Sequence, residues 1–108
     1  MLLRQNKMNV GQAIRMCRTR RGVSQTDLAH RVDCSVSYLS MLENNKRDPT
    51  LSTLTKIAHG LNVPMGILFF LAADREELGG MDKDLAGDLA RTALELLSEP
   101  ISDQLPLV

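Results

Sequence analysis

Tryptophan is absent from this sequence of 108 residues, and the aromatic complement is one Tyr and two Phe. With β-branched residues scattered as well, little in the chain favours strands. Only two cysteines occur, Cys17 and Cys34, without a CxxC spacing or a His-rich neighbourhood. A zinc site or a disulfide framework is therefore poorly supported, and a reducing, cytoplasmic setting is the expectation. The longest apolar run, Ile67 to Ala73, is far shorter than the roughly 20 residues a spanning helix needs, and no secretory signal is visible. No membrane partner is expected. The marks of an enzyme are also missing: no nucleophile stands at helical spacing from a base, and there is no metal-ligand cluster or Gly-rich phosphate loop. His30 and His59 have no second histidine or carboxylate at ligand spacing. No catalytic residue, metal or cofactor is expected.

What is present favours helices. Hydrophobic residues make up 44% and charged residues 24%, near the globular average, and Leu, Ala, Met, Arg and Gln are plentiful, which points to an all-α class. The length fits one domain of ordinary size. The formal net charge is zero, with 13 basic and 13 acidic residues, but they are segregated. Residues 1–60 hold ten bases against four acids, and residues 61–108 hold three bases against nine acids. A basic half suits phosphate and an acidic half avoids it.

Residues 1–8 show no apolar period and read as a flexible N-terminal arm. Val10, Ala13, Ile14 and Cys17 then repeat at helical spacing and leave Gln12, Arg15, Arg18 and Arg21 elsewhere on the wheel, until Gly22 ends the first helix. Ser24-Gln-Thr-Asp27 reads as a capping box opening a second helix that buries Leu28, Ala29 and Val32. Ser35 caps a third, with Leu39 and Leu42 inward. Asn44-Asn-Lys-Arg-Asp-Pro49 is a loop. Thr50 caps a fourth helix with Leu51, Leu54, Ile57, Ala58 and Leu61 in period. Asn62 is its left-handed cap, and Pro64 is placed at the first position of a fifth helix running to about Ala73. Met65 to Leu71 is apolar nearly all round, which requires cover on a second side. Residues 74–81, broken by Gly79-Gly80, read as a linker. A sixth, amphipathic helix follows over 82–99, with Leu85, Leu89, Ala93 and Leu96 on one stripe and Ala86, Ala90, Leu94 and Leu97 beside it. Pro100 stops it, and residues 100–108 form a tail.

The runs Val10-Gly-Gln-Ala-Ile-Arg-Met-Cys-Arg18, Arg21-Gly-Val-Ser-Gln-Thr-Asp-Leu-Ala29, Ser35-Val-Ser-Tyr-Leu-Ser-Met-Leu-Glu43 and Arg47-Asp-Pro-Thr-Leu51 together resemble the Cro/C1 (XRE) family of helix-turn-helix repressors. The resemblance covers about residues 9–73. It implies a five-helix bundle of lambda-repressor type, here with an additional C-terminal helix. Family members usually carry Gly in the turn where this chain has Asp33, and an Arg-Gly pair where it has Asn44-Asn45. Asp and Asn are the residues that best tolerate the left-handed conformation those places need. Inside the third helix, where members often place Arg, Gln or Asn, this chain offers Val36, Ser37, Ser40 and Met41, so strong bidentate base reading is missing.

The chemistry of these residues and the resemblance together give the expected roles. Ser35, Val36, Ser37 and Met41 are the candidates for base edges, the hydroxyls as donors and acceptors and Val36 against a thymine methyl. Ser24, Gln25, Tyr38, Asn44, Lys46 and Arg47 are the candidates for phosphate; Gln25 resembles the family's phosphate-clamping glutamine, with helix amides beside it. Arg18 and Glu43 hold positions that pair across helices in relatives and are assigned to structure. The partner implied is double-stranded DNA, read in two half-sites by a homodimer. The expected dimerisation residues are Ile67, Phe69 and Phe70 of the fifth helix and Leu85, Leu89 and Leu96 of the sixth. The function implied is that of a transcriptional regulator, most simply a repressor of bacterial or phage origin. The alternative is an antitoxin or other interaction protein that captures a protein partner through its C-terminal helix.

Overall fold

The computed structural model describes residues 9–73, 79–80 and 82–98; the expected N-terminal arm, most of the linker and the tail lie outside them. Every regular element among the described residues is helical: α1 Val10–Arg21, α2 Gln25–Arg31, α3 Val36–Glu43, α4 Leu51–Leu61, α5 Met65–Ala72 and α6 Lys83–Leu97. None of these helices alone is long and apolar enough to cross a membrane.

Local chemistry sets the helix ends. The side-chain oxygens of Ser24, Ser35 and Thr50 accept from the amides of Asp27, Tyr38 and Thr53 at 3.0, 3.0 and 3.1 Å. Asn9 does the same for Gln12 at 3.0 Å, and Asp82 for Asp84 and Leu85. Each cap satisfies an amide that the first turn leaves without a partner, a contribution of about 1 kcal/mol apiece. Gly22 and Asn62 end α1 and α4 in the left-handed region at φ 70° and 58°, and Asp33 and Asn45 adopt φ 59°, the conformation expected for them from the resemblance. Pro64 departs from expectation. Its ψ of 139° is extended, so it is the N-cap of α5, and the helix starts at Met65; its carbonyl accepts from the amides of Ile67 and Leu68.

The first five helices close one core. Ala13, Ile14 and Cys17 of α1 meet Leu28, Leu39, Leu42, Ile57, Leu61 and Leu68, all nearly or fully buried. Leu51 does not join them. At the first position of α4, on the rim of the bundle, it is exposed.

α6 lies back over α1 and α5 of its own chain. Ala93 and Leu97 are buried there, with Ala86, Ala90 and Leu94 half-buried beside them. Ala93 thus belongs with the inner stripe, whereas Leu85, Leu89 and Leu96 are 49%, 42% and 63% exposed. In α5, Leu68 and Ala72 are buried, and Ile67, Phe69, Phe70 and Leu71 are half-buried. Ile67 and Phe69 pack against their own chain's core, so the need for cover on α5 is met in part in cis.

Two arginines that lie off the apolar stripe of α1 turn inward, Arg18 as its expected pairing with Glu43 requires. Arg18 reaches α3. Arg21 donates through Nε to the carbonyl of Leu61 at 3.0 Å, through Nη1 to that of Leu97 at 3.0 Å and through Nη2 to that of Asn62 at 2.7 Å. One cation thereby meets the negative ends of α4 and α6 together.

Candidate nucleic-acid interface

α2 and α3 are joined across Val32, Asp33, Cys34 and Ser35. The amide of Cys34 bonds back to the carbonyl of Ala29 at 2.9 Å, and the left-handed Asp33 turns the chain so that Leu39 of α3 packs beside Leu28 of α2 in the core. The opposite side of α3 stays open. Val36 is 41% exposed, Ser37 is exposed, and Ser40 and Met41 are half-buried. Ser24 and Ser35 both serve as caps, which occupies a lone pair on each hydroxyl and leaves the hydrogen available to donate. Tyr38 divides its ring between the core and Arg47, whose guanidinium carbon stands 5.5 Å from the ring centroid. That contact holds an otherwise exposed loop cation against α3.

At the other end of α3 the carboxylate of Glu43 is buried and gathers side chains from two other helices, α1 and α2. Arg18 donates to it through Nε at 2.6 Å and Nη2 at 3.0 Å, and its Nη1 bonds the carbonyl of Val23 at 3.0 Å. Gln25 Nε2 donates to Oε1 at 3.0 Å, and Arg15 Nε lies 3.6 Å from the same oxygen. Burial alone would push this carboxyl up. The hydrogen bonds from Arg18 and Gln25 and the charges of Arg18 and Arg15 outweigh it and hold the carboxyl below the usual carboxylate range, so Glu43 is ionised at neutral pH. No buried side-chain nitrogen or oxygen among the described residues lacks a partner.

Beyond Glu43 the two asparagines have separate tasks. Asn44 donates to the carbonyl of Ser40 at 2.9 Å and accepts from Arg15 Nη2 at 3.0 Å. Asn45 accepts from the amide of Gly11 at 3.1 Å and donates to Asn9 Oδ1 at 2.8 Å. The start of α1 is pressed so closely on the end of α3 that a Cβ on Gly11 would fall 2.7 Å from both Asn45 Oδ1 and the carbonyl oxygen of Glu43, and closer still to that of Leu42.

The structure therefore brings Gln25, Arg18 and Glu43 into one hydrogen-bonded cluster, joins Asn44 to it through Arg15, and leaves Lys46 and Arg47 exposed beyond it. The apolar period places Arg15 only off the buried stripe of α1, and nothing in the sequence pattern assigns its contacts or the role of Asn45 as a clamp. A glycine inside the helical pattern at position 11 was the available signal, since such a glycine often marks close backbone approach. His30 and His59 are exposed, and among the described residues no group of three His, Cys, Asp or Glu side chains could hold a metal ion. Burial pushes the Cys17 thiol up to about 11, against the opposing charge of Arg21, and burial followed by the Asp33 charge raises that of Cys34.

Two short helices meeting across a tight turn, the second with an open polar face and set in a helical bundle, define the helix-turn-helix class of DNA-binding domains. A family model described as helix-turn-helix matches residues 14–68, and the chain belongs to the Cro/C1 (XRE) family of helix-turn-helix transcriptional regulators. It is 33% identical over 85 residues to the ImmF control region 10 kDa protein of Bacillus phage phi105, covering 79% of this chain and 93% of that one. To the immunity repressor of the same phage it is 36% identical over 61 residues, 56% of this chain, and it spans only 42% of that protein's length. The competence pilus inhibition repressor of Acinetobacter baylyi is 32% identical over 77 residues, 71% of this chain and 70% of the relative. Among solved structures, the restriction-modification controller protein C.AhdI from Aeromonas hydrophila superposes with a TM-score of 0.55 at 32% identity, over 57% of this chain and 94% of that one. The clp gene regulator ClgR of C. glutamicum gives 0.61 at 25% identity, over 75% and 99%.

Proposed function

We propose that the protein is a repressor that occupies a two-fold-symmetric site in double-stranded DNA as a homodimer. The observation that carries this reading is the open face of α3, where Val36 and Ser37 stand clear of the core while Glu43 at the far end ties the helix to α1 and α2. A helix held in this way presents its first turn to the major groove. Ser35 and Ser37 supply hydroxyls to base edges, Val36 a surface for a thymine methyl, and Met41 an apolar contact a turn further on. Ser24, Gln25, Tyr38, Asn44, Lys46 and Arg47 take the flanking phosphates, which fix register without reading sequence. With few long polar readers on α3, part of the discrimination falls to DNA shape. The repressors among the relatives support the regulatory sign of the effect.

One helix-turn-helix covers half a site, so two copies are needed about one helical turn of DNA apart. The exposed Leu85, Leu89 and Leu96 of α6, with the half-buried Phe70 of α5, supply the apolar surface for pairing, and Ile67 and Phe69 border it while also packing in cis. The protein acts where the DNA is, in the cytoplasm of a bacterium, whether encoded by host or phage.

The test is a footprint of the full chain on the DNA upstream of its own gene, with sedimentation equilibrium alongside. Two protected half-sites and a dimer at tens of micromolar are expected, and the Leu85→Glu/Leu89→Glu variant should sediment as a folded monomer with weakened protection. A monomeric wild-type chain on a single protected segment would overturn the dimer.

A further inference from the structure

We propose that Arg15 and Gln25 form a preset clamp for one DNA backbone phosphate, with the buried carboxylate of Glu43 as the residue that positions both. The inference rests on the DNA-binding reading above and assigns a residue, Arg15, to which neither the sequence nor the family match gives a role. Its basis is the crowding on one oxygen atom. Oε1 of Glu43 receives Arg18 Nη2 and Gln25 Nε2, each at 3.0 Å, and has Arg15 Nε at 3.6 Å.

A carboxylate only accepts, so the Gln25 amide must turn its nitrogen towards it. That fixes the orientation of the amide and leaves its second N–H without an intramolecular bond among the described residues. Arg15 is held from two sides, by Glu43 at Nε and by Asn44 Oδ1 at Nη2. Asn44 is itself fastened to the carbonyl of Ser40 in the last turn of α3. Nη1 of Arg15 has no hydrogen bond among the described residues, and the side chain is half exposed. Arg18 cannot share this work, because its side chain is nearly covered and its nitrogens are committed to Glu43 and Val23. The three charges sum to one positive charge, which resides on Arg15 and matches the single charge of a phosphodiester. Side chains already restricted in this way lose little further freedom when the anion arrives.

The positioning role and a plain charge effect make opposite forecasts for Glu43→Gln. Removal of a negative charge beside the phosphate should strengthen binding if Glu43 acts only by its field, and weaken it if Glu43 sets Gln25 and Arg15. The experiment is fluorescence anisotropy of the full chain with a labelled duplex of about 30 base pairs, across roughly 50 to 200 mM salt, at a temperature below the midpoint of every variant. Arg15→Ala should lower the slope of log K against log salt by about 0.9 per bound subunit, equivalent to about eightfold in affinity at 0.1 M salt. Arg15→Lys should restore the slope and only part of the affinity. Glu43→Gln should weaken binding several-fold in the wild-type background and have no further effect in Arg15→Ala/Gln25→Ala.

An unchanged slope in Arg15→Ala overturns the clamp while leaving the DNA-binding reading intact. Tighter binding by Glu43→Gln, or an equal loss in the doubly substituted background, overturns the positioning role. A wild-type chain that binds no duplex at the lowest salt defeats the DNA-binding reading and the clamp with it.

Discussion

Gly11 and Gly66 both occupy the second position of a helix, α1 and α5 respectively, so replacing each with Ala changes intrinsic helix propensity by the same amount. Their surroundings differ. Nothing lies within 4 Å of a Cβ built on Gly66, whereas one on Gly11 meets two oxygens at 2.7 Å and a third closer still. Those atoms belong largely to the backbone of α3, so α1 must retreat by several tenths of an ångström. Overpacking of this kind costs about 1–3 kcal/mol. Loss of the 3.1 Å bond from the Gly11 amide to Asn45 adds about 1 kcal/mol, and the propensity of Ala returns at most about 1 kcal/mol. Gly11→Ala should therefore be destabilised by about 2 kcal/mol, a fall of about 10 °C in Tm for a domain of this size. Gly66→Ala should gain up to about 1 kcal/mol. Thermal melts by far-UV circular dichroism, backed by urea titration at one temperature, read both. Equal midpoints for the two variants would refute the close approach of α1 to α3.

Three further outcomes follow from the site. Because the Glu43 carboxyl is held below its unfolded value, its contribution to stability is complete above the unfolded pKa of about 4.3 and is lost as pH falls through the folded one; urea titrations of Glu43→Gln should show a flatter acid limb than wild type, and parallel limbs would contradict the assignment. A thiol reagent at pH 8 should modify Cys34 but spare Cys17 in the native chain and modify both in denaturant, as mass spectrometry would show; modification of Cys17 at the same rate as Cys34 would contradict its burial. Ser37→Ala should weaken cognate DNA alone by about 1 kcal/mol, the low end for a base-edge contact, and an equal loss on unrelated duplexes would make Ser37 a phosphate ligand.

Most helix boundaries were legible in the sequence because they are set by residues close along the chain. Ser24, Ser35 and Thr50 cap as their positions imply, and Asp33, Asn45 and Asn62 take the left-handed backbone that Asp and Asn tolerate. Pro64 was misplaced by one position, since fixing φ suits a cap as well as a first turn. The failures share a cause. The apolar period of α1 locates its buried face and says nothing about which flank meets the end of another helix, so it does not distinguish Arg15, which turns to Glu43 beside Arg18, from Arg21, which turns to the ends of α4 and α6. Leu51 keeps the helical spacing of the buried residues, but at the first position of α4 it lies at the rim of the bundle and is exposed. In α6 the two stripes were both visible; which of them lies on α1 depends on tertiary packing that periodicity cannot rank.

The Arg21 guanidinium gives α6 two unlike ends. At Leu97 the helix cannot lift without taking an acceptor from a cation that also holds the last carbonyls of α4, so release of that end and loosening of the bundle share one free energy. At Lys83 the helix follows Gly79 and Gly80, both at positive φ, and its first turns leave Leu85 and Leu89 uncovered. α6 is thus fastened by polar bonds at its C-terminal end and presents open leucines towards its start. The cation that fastens its last turn belongs to the end of α1, the helix whose other residues, Gly11, Arg15 and Arg18, hold α3 in place.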